Sequence, residues 1–145
     1  MKFVILRLLT HSELGMFHEY RRQRKERGRQ RAINFDWDVV ARVFPSAKDS
    51  ERIPIECKRF EDDQRVIRMT SWLKRQHKNW RFEGDCPTSA YYRYVDPGVL
   101  FVMVVDASNT PAQASWVVVP KDHPAHTSIL NHGESARLTQ SAMIA

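Results

Sequence analysis

Eleven consecutive residues, Arg21 to Arg31, read RRQRKERGRQR. Arg21, Arg22, Arg24, Lys25, Arg27, Arg29 and Arg31 are basic and only Glu26 is acidic, so the segment carries +6, the net charge of the whole 145-residue chain. The remaining residues balance to zero. Charge that serves only solubility is spread over a surface, whereas a concentrated block is an electrostatic footprint for a polyanion. Six of the seven cations are arginine, whose planar fork matches phosphate oxygens and the guanine edge. A second basic stretch, Lys74 to Arg81, reads KRQHKNWR. In it Lys74, Arg75, Lys78 and Arg81 suit phosphate or guanine, Gln76 and Asn79 suit adenine, and His77 can donate to either.

Two other constellations carry chemistry. Glu56-Cys57-Lys58 is a Glu-x-Lys pattern inside an apolar run, with Asp36 or Asp38 upstream. Two such carboxylates could hold a magnesium ion that activates water, with Lys58 stabilising charge, as in metal-dependent nucleases. Against that, three-residue patterns recur by chance, and Asp36 sits where a helix N-cap belongs. His123, His126 and His132 lie close together, but Pro124 interrupts the turn and no cysteine or carboxylate completes a ligand set, so no metal is expected. No Walker loop, dinucleotide glycine pattern or nucleophile elbow occurs, and no cofactor is expected.

The elements that would position these residues are mostly strands. Lys2 to Leu9, Arg31 to Phe35, Ile53 to Phe60, Arg65 to Leu73, Val99 to Asp106 and Ser115 to Val119 are rich in apolar and β-branched residues. Phe35 to Phe44 has Val39, Val40, Val43 and Phe44 at helical spacing, with Asp36 as cap and Pro45 as stop. Ser12-Glu13 offers a start for another short helix, which the glycine and arginines of the basic block end. Glu61-Asp62-Asp63 and Asp96-Pro97-Gly98 read as turns. Trp72 and Trp80 read as core or barrel-edge aromatics. Together with Tyr91 and Tyr92 they leave single-strand binding as the weaker option. After Pro120 the composition shifts to His, Ser, Thr and small residues. The predicted division is therefore 1–120 as one domain and 121–145 as a C-terminal helix and tail or linker. The fold expected is mainly β with minor α: an open barrel of about seven strands, one or two short helices and two projecting basic arms.

The order and local pattern resemble the N-terminal effector domain of EcoRII-type restriction endonucleases, a DNA-binding pseudobarrel related in fold to plant auxin-response-factor DNA-binding domains. The resemblance runs over residues 2–120. It rests on FVILRL with the polar arm after it, VARVFPS (Val40 to Ser46), IPIECKRF, RVIRMTSWLKRQHKNWR, GVLFVMVVD and ASWVVV. It implies two arms that enter the major groove, matching Thr10 to Arg31 and Lys74 to Arg81, and a barrel wall without catalytic role at IPIECKRF. The first arm here is longer and far richer in arginine than the family's.

Residues and resemblance together predict a double-stranded DNA-recognition domain of a restriction or phage-defence system. On this reading the chain is not itself the enzyme, and a separate nuclease domain or subunit cuts. The magnesium nuclease built on Asp36, Glu56 and Lys58 is the first alternative, and an RNA-binding or assembly module the second. With no long apolar run and no signal-peptide cleavage site, and with two cysteines lacking metal spacing, the expected setting is the cytoplasm, with no membrane partner.

Overall fold

The computed structural model describes residues 2–24, 30–134 and 141–144, with side chains through Asn131. Eight strands form one sheet: β1 (Lys2–Leu8), β2 (Ile33–Asp36), β3 (Arg52–Phe60), β4 (Val66–Arg75), β5 (Asn79–Glu83), β6 (Leu100–Asp106), β7 (Ala112–Val119) and β8 (Ser141–Ile144). Their order across the sheet is β2-β5-β4-β3-β7-β6-β1-β8. All neighbours are antiparallel except β3 and β7, whose parallel register sets Ile55 against Ala112 and Lys58 against Ser115. Helix α2 (Trp37–Val43) packs on both β2 and β8, the two edge strands, and so bridges the gap in a nearly closed barrel. The mainly β pseudobarrel expected from the sequence is the architecture found.

Alternation explains the wall. Along β3, Ile53, Ile55, Cys57 and Arg59 turn inward, while Arg52, Glu56 and Lys58 turn out. Inside, Trp116 is ringed by Phe17, Tyr92 and Phe101 at centroid distances of 6.1, 5.9 and 5.4 Å. Phe35 and Phe82, on paired strands, stack at 5.7 Å. Gly98, at φ +93°, adopts a conformation that side chains resist, and it completes the expected turn into β6.

Several elements differ from expectation. The connection from Leu9 to Ala32 is not a free arm over its described length. It holds a 3-10 turn at Glu13–Met16 and helix α1 (His18–Arg24). Leu14, Met16, Phe17 and Tyr20 are buried, so this connection plugs one end of the barrel. Apolar anchors at that spacing outweigh the polar residues between them. Lys74 to Arg81 is likewise no projecting arm. It is the end of β4, a tight turn at Gln76-His77-Lys78, and the start of β5, closed by Gln76 N–H donating to the Asn79 carbonyl at 2.8 Å. Asp36 stands at the N-cap of α2 but makes no side-chain capping bond. The segment after Val119 contains a helix as expected, α3 (Pro124–Glu134), but adds the strand β8, which pairs with β1 from Arg7↔Ser141 to Val4↔Ile144.

Candidate nucleic-acid interface

Tyr20, buried at the plugged end, anchors α1, and its hydroxyl lies 2.5 Å from His11 Nδ1. The arginines that follow it are therefore held at the barrel rim. Arg22 donates to Glu19 at 2.7 Å and Arg24 to Asp96 at 3.0 Å; the two arginines are 61% and 53% exposed. The Arg22 hydrogen bond draws the Glu19 carboxyl below its ordinary value. The Arg24–Asp96 pair is exposed on both sides, and pairs of that kind contribute about 0–1 kcal/mol, so exchanging that carboxylate for a phosphate costs little. Arg31 donates to the Gln30 carbonyl at 3.0 Å. That carbonyl comes within 2.6 Å of where a Cβ on Gly15 would sit, so the return of the chain past Gly15 needs glycine. Lys25, Arg27 and Arg29 lie outside the described residues.

At the hairpin, two of the predicted contacts serve the fold. Arg75 lies over Trp37 and Trp80, at 4.8 and 5.0 Å from their ring centroids. It donates to the carbonyls of Ser50, at 3.1 Å, and Ala47. Lys74 pairs with Glu83 at 2.6 Å. Gln76, His77 and Lys78 form the exposed tip, while Asn79 and Arg81 are half-buried. Trp80 is in the core, which removes it and the buried Tyr92 as stacking platforms; Trp72 is half-buried on the outer face of the barrel.

The two basic regions do not share a side. Leu8 pairs with Leu100, Leu100 with Val119, and β7 runs parallel to β3 toward Phe60. Arg75 is at the other end of the hairpin that Phe60 and Val66 begin. Along β4 the helix α1 and the hairpin tip thus lie toward opposite ends, while Glu13 of the plug also reaches β2 through the Asn34 amide, and Asn34 pairs with Arg81.

No protein-family model matches the chain, and no curated protein matches it either.

The Asp-Glu-Lys constellation is not assembled. Asp36 and Glu56 stand three strands apart and six residues apart along the register, on the order of 20 Å. Glu56 faces outward and accepts from the Thr70 hydroxyl at 2.7 Å. Nor do the histidines converge on a metal. His123 Nδ1 accepts from the Ala125 amide at 3.0 Å, and His126 Nε2 lies 2.9 Å from the Gly98 carbonyl. Of His132 only the backbone is described. Among the described residues no group of three His, Cys, Asp or Glu could hold a metal ion, and no helix is long and apolar enough to cross a membrane.

Burial pushes the Cys57 thiol up to about 12, with the Ser71 hydrogen bond opposing it, whereas Cys86 is exposed. Since the thiolate is the reactive form, a disulfide dye added to the native protein at neutral pH should label one thiol per chain, and both only after unfolding. Rapid labelling of two in the native state would contradict this packing.

Another basic surface is not apparent from local sequence. Register sets Arg52 directly opposite Lys74, and Lys74 opposite Arg81, on three adjacent strands. Lys58 stands opposite Arg68 on the same outer face. Residues 7 to 22 positions apart along the chain meet here only because the strands pair.

Proposed function

We propose that this chain is a double-stranded DNA-binding domain. The observation that carries the reading is the placement of the entire net charge in one connection. That connection is rooted in the core by Phe17 and Tyr20, and its rim arginines, Arg22 and Arg24, keep exposed guanidinium groups, Arg22 paired with the buried Glu19 and Arg24 with Asp96 and over the Tyr20 ring. The release of counterions from the duplex supplies the driving force. The two basic regions then act as footholds on one duplex laid along the barrel. The tip residue Gln76 and its neighbour Asn79 are the candidates for base readout, with His77 and Lys78 between them. The resemblance to restriction effector domains supports a setting in restriction or phage defence, in which a separate nuclease domain or subunit cuts.

With roughly 6–10 phosphate contacts, affinity should fall by about 10³ or more between low and moderate salt. Replacing Arg22, Arg24, Arg27 and Arg29 together with Gln should weaken binding at all sequences and flatten the salt slope by about 3–4. Affinity measured by fluorescence anisotropy over a salt series checks both. An unchanged slope in the variant would remove the block from the interface. Selection from random duplex DNA, methylated and unmethylated and without magnesium, tests readout. Changes at Gln76 or Asn79 should shift the enriched motif more than the affinity. Preference for RNA over the duplex in competition would replace DNA as the partner.

A further inference from the structure

We infer that the outer face of β3, β4 and β5 is itself a contact surface for the phosphate backbone of duplex DNA; this rests on the nucleic-acid reading above. Outward positions on these strands hold Arg52, Lys58, Arg68, Lys74 and Arg81 against two acids, Glu56 and Glu83. Both acids are engaged, Glu83 with Lys74 and Glu56 with Thr70. Among the described residues, Arg52, Lys58, Arg68 and Arg81 have no carboxylate partner. Register sets Lys58 against Arg68 in one row, and in another flanks Lys74, whose charge Glu83 shares, with Arg52 and Arg81. Like charges directly opposite one another destabilise a sheet, and a solvated face without a ligand gains nothing from the arrangement. A polyanion laid across the strands relieves both rows at once.

The geometry also prepares one of the contacts. The Arg52 guanidinium lies over the Trp72 ring at 4.1 Å. Stacking fixes its plane and leaves its N–H edge available for two parallel hydrogen bonds to a phosphate. The surface continues from the hairpin tip, since Arg81 lies two residues beyond Asn79 on β5. The tip and the face therefore form one track rather than two sites.

The test is the double variant R52Q/R81Q, measured beside wild type and beside the arginine-block variant. Each is titrated with a short mixed-sequence duplex over a salt series, and each is melted without DNA. R52Q/R81Q should bind more weakly, with a salt slope reduced by about 2. Its melting midpoint should change little, because the relief of repulsion in the row offsets the lost Arg52–Trp72 stacking. The charge-retaining R52K/R81K should keep the wild-type slope. If R52Q/R81Q binds like wild type while the block variant fails, the sheet face is no contact and the DNA reading survives. If R52K/R81K loses slope as well, the effect is structural and the inference is overturned. If wild type binds no duplex at all, both readings fall together.

Discussion

Glu13→Ala should lower the stability of this protein by about 3–5 kcal/mol, the cost of breaking one partner out of a buried ion pair. Glu13 is fully buried, and its carboxylate accepts five hydrogen bonds. Two come from Arg7, Nε at 2.6 Å and Nη2 at 3.1 Å. The others come from the Thr10 amide and hydroxyl at 3.1 and 3.0 Å and from the Asn34 amide at 2.9 Å. One side chain thus ties β1, the plug and β2 together. Alanine leaves the Arg7 guanidinium in the interior without its carboxylate and strands two backbone amides. At this chain length the loss corresponds to a melting midpoint lower by roughly 10 °C or more. Glu13→Gln keeps the shape but turns an amide donor toward Arg7, so it should lose about half as much. R7M/E13L removes the charge burial and should recover part of the loss, though not the amide bonds. Urea unfolding followed by far-ultraviolet circular dichroism reads all three. A cost below about 1 kcal/mol for Glu13→Ala would mean that the carboxylate is not the tie described here.

Arg75→Ala is expected to cost about 3 kcal/mol, from two charge-assisted bonds to carbonyls and two aromatic contacts. Its effect on DNA should nevertheless be small wherever the variant remains folded. The guanidinium is spent on Trp37, Trp80, Ser50 and Ala47, and so locks the segment after α2 onto the hairpin. Arg75→Lys should fail to restore stability, because an ammonium cannot lie flat on two rings while reaching both carbonyls. Chemical denaturation and anisotropy at a temperature well below the melt separate the two properties. Full stability with abolished binding would return Arg75 to the interface.

Strands with continuous or alternating apolar residues were legible from the residues alone: β1, β3, β4, β6 and β7 follow the expected runs closely. So did α2, because Val39, Val40 and Val43 repeat at helical spacing before Pro45. β5 was hidden, since Trp80 and Phe82 alternate correctly but sit within a stretch whose charge dominates the reading. The short helix expected from Ser12-Glu13 is found as a 3-10 turn followed by α1, but its burial was hidden, with Phe17 and Tyr20 the apolar residues beside the arginines. Glu13 reads as a surface residue by type, and its burial follows from a partner, Arg7, that local pattern does not reveal. The rows Arg52–Lys74–Arg81 and Lys58–Arg68 depend on pairing register, which a single sequence does not specify. The charge block itself was plain, but which end of the barrel it occupies follows only from the parallel pairing of β3 with β7.

The pairing of β8 along β1 bears on self-association. β1 is apolar from Phe3 to Leu6, and its backbone between Val4 and Arg7 is capped on that side by β8. A chain cut after Val119 would present those amides and carbonyls as an open template, and short β-prone segments of this composition add strands from other molecules. The last four-residue strand is therefore a guard against polymerisation, and shortened forms of this protein would be expected to precipitate even with the barrel core intact.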